Sequence, residues 1–171
     1  MRNIVYIVAI MSMPLLGLAQ NSVEIFNKYK GKEDITTVSV SKYMFSLFSD
    51  VETDDPDSQE FLDLVQTLEG MKILTTEDAV MAQDIIKSVK KHMDKNDFKE
   101  LMTVEENGKD VVFKIREEGK KVSELIMLVN EGDEVVFMSI VGNIDLKKIS
   151  KLSKKMNISG VENLESIDDE K

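Results

Sequence analysis

The sequence predicts an α+β fold, with a mainly antiparallel sheet built on a four-strand C-terminal meander and helices packed on one face. Alternating apolar segments between residues 101 and 141 are separated by Asn107-Gly108, which favours a two-residue hairpin turn because both residues adopt positive φ. Gly119 and Gly132 give the next two turns the same freedom. The first half of the chain instead places its apolar residues at helical spacing.

The four strands predicted for the meander differ in polarity. They span residues 101–106, 109–116, 121–129 and 134–141. The second alternates apolar residues with Lys114 and Arg116, which predicts that one of its faces is solvated. The third and fourth contain nearly unbroken apolar runs, and such runs require cover on both faces or a partner on the second. We expect helices on one side, and what covers the other side is left open.

Three elements are predicted before residue 50. Ser22 is placed to cap a helix that continues to Lys30. Residues 35–41 are β-branched and alternating, which is typical of a strand. Residues 42–49 are predicted as a short, well-buried helix because of their large apolar side chains, Tyr43, Met44, Phe45, Leu47 and Phe48.

The acidic segment 50–57 has two interpretations. Carboxylates at alternate positions are ligands that Ca²⁺ prefers. However, Asp55 stands where the calcium loop needs its glycine, and Phe61 stands where it needs a bidentate glutamate. We favour a solvated linker.

Two helices and a strand are predicted after this segment. Residues 57–60 fit a capping box that begins a helix, which Gly70 would end. Residues 71–75 form a short strand, and Thr75 or Thr76 then caps a longer helix. The apolar side of that helix comprises Ala82, Ile85, Ile86, Val89 and Met93.

A last helix is predicted from Leu146 to Met156, capped by Asn143 or Asp145. Its lysines are typical of a solvated face, although contact with anionic lipid or an acidic partner is an alternative; they are Lys147, Lys148, Lys151, Lys154 and Lys155. Residues 161–164 form a predicted edge strand, and residues 165–171 a disordered acidic tail.

The first 19 residues are typical of a secretory signal peptide. A basic start precedes a short apolar run, and Gly17 and Ala19 occupy the small-residue positions before a cleavage site. We therefore expect export to the periplasm or the extracellular space, followed by one domain over residues 20–164. Gln20 stands where a lipoprotein would carry its lipidated cysteine, so no lipid anchor is expected.

Composition excludes several classes of function. The formal net charge of −10 disfavours binding to nucleic acid. The absence of cysteine excludes disulfides, thiol nucleophiles and thiolate metal sites. His92, the single histidine, is predicted to be a cationic cap at a helix end rather than a general base. We expect no catalytic residues, no cofactor and no metal site, and hence no enzyme.

Several short segments are similar to a known family. They are residues 26–29, 40–45, 97–102, 124–128 and 142–146. Together they resemble a family of small exported proteins of Bacteroidota, domain of unknown function 4252, over residues 20 to about 164. The resemblance implies no active site. Members are often lipoproteins, and Gln20 departs from that pattern.

The sequence therefore predicts a non-catalytic binding or interaction module. Its partner would be an unknown protein of the cell envelope or a second copy of the chain, with membrane contact only peripheral. The predicted interaction surface comprises Ile126, Leu128, Val136, Met138, Ile140, Lys147, Lys151 and Lys154. Two alternatives are a carrier of a small apolar ligand and, less favoured, a hydrolase that uses a carboxylate pair. The methionines are expected to fill the core.

Overall fold

A six-stranded antiparallel sheet organises the computed structural model, which describes residues 22–48, 51, 53–119 and 121–147. The strands are β1 Thr36–Ser41, β2 Leu68–Thr76, β3 Lys99–Glu106, β4 Lys109–Glu118, β5 Lys121–Asn130 and β6 Val135–Ile144. Their order is β1-β2-β6-β5-β4-β3, and every neighbouring pair is antiparallel. The helices are α1 Val23–Tyr29, α2 Lys42–Ser46, α3 Pro56–Gln66 and α4 Ala79–Lys95. The predicted fold class and the meander are confirmed.

Helices α1 and α4 pack on one side of the sheet, which we call the first face. Phe26 of α1 stacks on Phe137 of β6, with ring centres 4.9 Å apart. The apolar side of α4 closes the same core. The buried cluster comprises Ile25, Phe26, Tyr29, Leu74, Ala82, Ile85, Ile86, Val89, Met93, Ile126, Leu128, Val135 and Phe137.

The opposite side of the sheet, the second face, carries a smaller cluster at one end. Ile115, Val122, Leu125 and Ile144 are buried there. Residues that follow one another in a strand point to opposite faces. The apolar runs of β5 and β6 are explained by this arrangement, because they supply apolar side chains to both faces.

The N-cap of α3 differs from the prediction. Asp55, rather than Asp57, precedes the helix, and its carboxylate accepts a hydrogen bond from the Ser58 backbone N–H at 2.9 Å. Pro56 occupies the first helical position, where its fixed φ is favourable and its missing N–H costs nothing. Gly70 does not end the helix, since it lies inside β2.

Helix α4 is capped by Asp78, not by Thr75 or Thr76. The Asp78 carboxylate accepts a hydrogen bond from the Met81 backbone N–H at 2.8 Å. Thr76 is the last residue of β2, and its hydroxyl donates instead to the Asp34 carbonyl at 2.6 Å. The chain therefore needs two more residues to leave the sheet before the helix begins.

Helix α2 is not the well-buried element that its sequence predicts. Only Phe45 of this helix is buried, whereas Tyr43 is 73% exposed. The helix has only five residues and packs against β1 and β2 at the end of the sheet. Such a short helix can bury only one side, so its remaining large apolar side chains face solvent.

The last predicted helix is described only at its start. The Lys147 backbone N–H donates to the Asp145 carboxylate at 3.0 Å, which supports Asp145 as the cap. Lys151 and Lys154, the predicted edge strand, the acidic tail and residues 1–19 lie outside the described residues. Within the described ranges, no helix is both long enough and apolar enough to span a membrane.

Candidate functional site

Two mainly apolar rows of side chains cross the second face on all six strands; one is apolar throughout, and the other ends in two threonines. Their members are neighbours in the strand register, so each row runs perpendicular to the strands. The valine row consists of Thr36, Thr75, Val136, Val129, Val111 and Val104. The methionine row consists of Val38, Ile73, Met138, Met127, Phe113 and Met102.

None of the side chains in these two rows is buried. Most are half-buried, and the outer members Val38 and Val104 are 45% and 37% exposed. Neighbouring strands lie about 4.8 Å apart, so a row across six strands is roughly 24 Å wide. A continuous apolar surface of this width is unlike the scattered apolar residues of an ordinary solvated surface, and it is typical of a contact site.

The methionines do not fill the core as expected. Of the methionines in the described residues, only Met93 is buried. Met102, Met127 and Met138 lie instead in the accessible methionine row. Flexible, polarizable thioethers adapt to the shape of a partner. The row therefore has the chemistry of an adaptable binding surface.

The predicted interaction surface is divided between the two faces of the sheet. Val136, Met138 and Ile140 lie on the second face and are half-buried. Ile126 and Leu128 are only 0% and 2% exposed, because they belong to the core beneath the helices. These two residues therefore cannot contact a partner and do not belong to the interaction surface. Lys147 is exposed just beyond β6, and the other two predicted lysines are not described.

A buried ion pair lies on the first face. The Arg116 guanidinium is 3.2 Å from Oε2 of Glu124, and the Glu124 side chain is fully buried. The other carboxylate oxygen, Oε1, accepts hydrogen bonds from the Ser139 hydroxyl at 2.6 Å and the Ser22 backbone N–H at 3.1 Å. The expectation that Arg116 faces solvent is wrong, because its register partner on β5 is this carboxylate.

His92 lies in the last turn of α4, where its ring centre is 5.7 Å from that of Phe98; the Arg116 guanidinium carbon lies 5.6 Å from the centre of the same Phe98 ring. Its Nδ1 is 3.3 Å from the Asn96 side-chain nitrogen, and its Nε2 has no hydrogen-bond partner within the described part of the chain. Burial lowers the pKa of His92, and the charges of Glu124 and Arg116 act on this pKa in opposite directions. The imidazole is therefore mainly neutral at pH 7, and the prediction of a cationic cap is wrong.

A second polar cluster connects α1 to α4. The Tyr29 hydroxyl donates to the Asp84 carboxylate at 2.8 Å, and it lies 2.8 Å from the Ser88 hydroxyl. The Lys28 ammonium donates to Tyr29, Ser88 and Asp84 at 2.8, 2.8 and 3.0 Å. The hydrogen bonds from Lys28 and Tyr29 lower the pKa of Asp84. Since each of these four side chains is hydrogen-bonded to another of the four, we interpret the cluster as a structural link between α1 and α4.

No group of three or more acidic or histidine side chains suitable for a metal ion occurs in the described ranges. Asp50 and Glu52 of the acidic segment lie outside these ranges. The interpretation of this segment as a solvated linker therefore stays a prediction.

The comparison with known families concerns most of the chain. The profile of a family described as a domain of unknown function (DUF4252) matches residues 29–152. The chain belongs to this family. The match begins at Tyr29, the last residue of α1, and includes the whole described sheet. No curated protein and no solved structure matches the sequence.

Sequence reasoning missed the ion pair, although one signal indicated that Glu124 needs a partner. Glu124 is the one charged residue of the segment from Val122 to Val129, whose only other polar residue is Ser123. An isolated charge in an apolar strand therefore indicates a partner on the neighbouring strand. The turn at Gly119 alone would not have indicated the partner, because Glu117 pairs with Val122 and a regular register would place Ser123 opposite Arg116. A bulge between Arg116 and Glu117 shifts the register and brings Glu124 opposite Arg116.

Proposed function

We propose that the protein is an exported, non-catalytic interaction module that binds a protein through the valine and methionine rows. The single observation that supports the site is the unburied apolar surface across all six strands. Export is supported by the signal-like pattern of the first 19 residues. The partner is a protein of the cell envelope or a second copy of this chain.

The chemistry of the rows favours a protein partner. A flat surface of branched and thioether side chains buries apolar area against a complementary surface, which is the main source of free energy in association. Anionic lipid is a less suitable partner, since the chain carries a formal charge of −10 and the rows contain no basic residue.

Site-directed photo-crosslinking tests the surface directly. The natural chain has no cysteine, so Met138→Cys introduces one thiol for a photoreactive maleimide in the middle of the methionine row. The matched control is Val80→Cys in the first turn of α4, which is 73% exposed and lies outside the rows. In the native cell envelope, we expect position 138 to form a discrete crosslinked product with another protein or a second copy. Equal labelling from both positions would refute the proposed surface.

Charge insertion provides an independent test. Met127→Glu combined with Met138→Glu places two carboxylates in the row, and it should abolish the crosslinked complex and any self-association measured by light scattering. Val80→Glu is the control and should leave both unchanged. Circular dichroism of each variant verifies that the fold is retained. A complex that survives both glutamates would exclude the methionine row as its interface.

The alternative function, a hydrolase that uses a carboxylate pair, stays a prediction, and the surroundings of the buried carboxylate do not favour it. The one fully buried carboxylate of the described residues, Glu124, is already paired with Arg116.

A further inference from the structure

A groove lies on the first face at the end of the sheet formed by β1, β2 and β6, next to the start of α1. It has a volume of about 360 Å³. Pockets for small molecules in proteins measure roughly 300–1,000 Å³, so the groove is large enough for a small ligand. It is separate from the valine and methionine rows, which lie on the second face.

The floor of the groove consists of two cross-strand rows. Ser39, Lys72 and Ser139 are register neighbours across β1, β2 and β6. Ser41 and Gly70 form part of the next row, which continues to Val141. Because Gly70 has no side chain, the centre of the groove is empty down to the backbone.

Lys72 places one positive charge in this floor. Its ammonium donates to the Ser39 hydroxyl at 3.2 Å and lies 5.8 Å from the centre of the Phe26 ring. Lys72 forms no ion pair with a carboxylate of the described residues, whereas Lys42 at the rim is 3.7 Å from Glu69. The charges that line the groove therefore sum to about +1, in a chain that is strongly acidic as a whole.

The bottom of the groove is anchored to the core. Ser139 is only 4% exposed, and its hydroxyl donates to the buried Glu124 carboxylate at 2.6 Å. Since Arg116 balances that carboxylate, Glu124 adds no net charge beneath the groove. Because its single proton is donated to Glu124, the Ser139 hydroxyl forms part of the rigid floor and is not a donor to a ligand.

We propose that the groove binds a small organic monocarboxylate with a short apolar chain. The carboxylate accepts hydrogen bonds from the Lys72 ammonium and from the hydroxyls of Ser39 and Ser41, and the apolar chain packs against Val23 and Val141. One ammonium with neutral hydroxyls suits a monoanion, whereas a phosphate dianion would require additional cationic donors. We expect an apolar chain on the ligand because Val23 and Val141 give the groove an apolar lining.

The test uses octanoate as the probe and 1-octanol as its uncharged counterpart. Each is titrated into the purified protein and followed by changes in the amide NMR spectrum. We expect octanoate to bind with saturation, with the largest shifts at Ser39, Ser41 and Ser139. Losing one charge-assisted hydrogen bond costs about tenfold in affinity, so 1-octanol should bind about tenfold more weakly.

Two variants test the same site by different means. Lys72→Met removes the charge but keeps the length of the side chain, and it should weaken octanoate binding about tenfold. Gly70→Leu fills the groove and should abolish binding. A Cβ at Gly70 would lie 3.6 Å from the Val40 carbonyl oxygen, an ordinary contact, so this variant is expected to fold. Lys90→Met, which removes an exposed lysine of α4, is the control and should bind like the natural protein.

Several results would overturn the proposal. They are an absence of saturable octanoate binding, equal affinity for octanoate and 1-octanol, or shifts confined to the methionine row. Unchanged binding by Lys72→Met would exclude the charge as the determinant, even if Gly70→Leu failed to fold. Retained binding by a folded Gly70→Leu variant would exclude the groove.

Discussion

The Glu124 carboxylate is fully buried, where Arg116 and two hydrogen-bond donors compensate for the loss of hydration. Glu124→Ala would remove the carboxylate that balances the buried Arg116 guanidinium and accepts hydrogen bonds from Ser139 and Ser22. Removing one partner of a buried ion pair costs about 3–5 kcal/mol. We therefore expect a decrease of this size in the free energy of unfolding, measured by urea denaturation.

A paired variant separates the lost charge balance from lost packing. Arg116→Met with Glu124→Gln removes both charges, while the amide carbonyl oxygen introduced by the second substitution still accepts a hydrogen bond from Ser139. This variant should recover at least half of the stability lost in Glu124→Ala, because no unbalanced charge stays in the core. If the paired variant were as unstable as Glu124→Ala, the ion pair would not be the reason for the loss.

The buried His92 imidazole should lower the free energy of unfolding in mild acid. Its folded-state pKa lies below the usual value of 6.5 because burial disfavours the imidazolium. The unfolded chain therefore binds a proton more readily, so stability is complete above pH 6.5 and falls as the pH decreases towards the folded-state pKa. We expect His92→Gln to reduce this decline, measured as the free energy of unfolding between about pH 5 and pH 8.

Asp84→Asn is the control for this pH dependence. The pKa of Asp84 is lowered from 3.8 by its bonds to Lys28 and Tyr29, so its contribution to stability is complete above pH 3.8 and falls only at lower pH. Asp84→Asn should thus leave the shape of the curve above pH 5 unchanged. A decline that persists in His92→Gln would assign the acid sensitivity to another group.

At the scale of elements, the contact between β6 and the start of β2 requires a glycine. A Cβ at Gly142 would lie 2.5 Å from the Thr67 carbonyl oxygen and 2.8 Å from Leu68 Cα. Both are backbone atoms, and the Thr67 oxygen also accepts a hydrogen bond from the Asn143 backbone N–H at 3.0 Å. We expect Gly142→Ala to destabilise the protein by about 1–3 kcal/mol, as overpacking does in a core.

Gly70→Ala is the matched control, because Gly70 lies in the adjacent strand and its added Cβ meets only an ordinary contact. Its effect on the free energy of unfolding should stay within about 1 kcal/mol. Equal losses in both variants, compared by urea denaturation, would mean that the approach of Thr67 to β6 is not what requires a glycine.

The type of most elements could be predicted from the sequence, whereas several boundaries could not. Asn107-Gly108 and the alternation around it determine the first hairpin locally, so the meander was predictable. The caps Asp55 and Asp78 were missed because the chosen candidates, Asp57 and Thr76, also fit the local capping pattern. The position at which the chain leaves the sheet decides between them, and that position depends on tertiary contacts.

At the scale of the whole molecule, the sequence predicted an apolar surface but not its location. The sequence shows which face of a sheet a strand residue occupies only where apolar and polar residues follow each other in turn. The runs in β5 and β6 are apolar at nearly every position, so Ile126 and Met138 were indistinguishable before the register was known. The groove was likewise unpredictable, because Ser39, Lys72 and Ser139 lie far apart in the sequence.

The two outer strands of the described sheet differ in how they resist pairing with another chain. β3 carries four charged side chains, Lys99, Glu100, Glu105 and Glu106, whereas β1 from Thr36 to Ser41 carries none. Charged side chains on an outer strand oppose edge-to-edge association. We therefore expect β1 to be the edge at which aggregation begins, and Thr36→Lys should slow aggregation during mild heating, measured by light scattering.

Thr103→Lys is the matched control, since it changes the net charge by the same amount on an outer strand that already carries charges. Both threonines are exposed, so neither lysine disturbs the core. A slower rate in Thr36→Lys alone would assign the aggregating edge to β1. Equal slowing in both variants would instead attribute the effect to overall charge, and β1 would then have no special role in association.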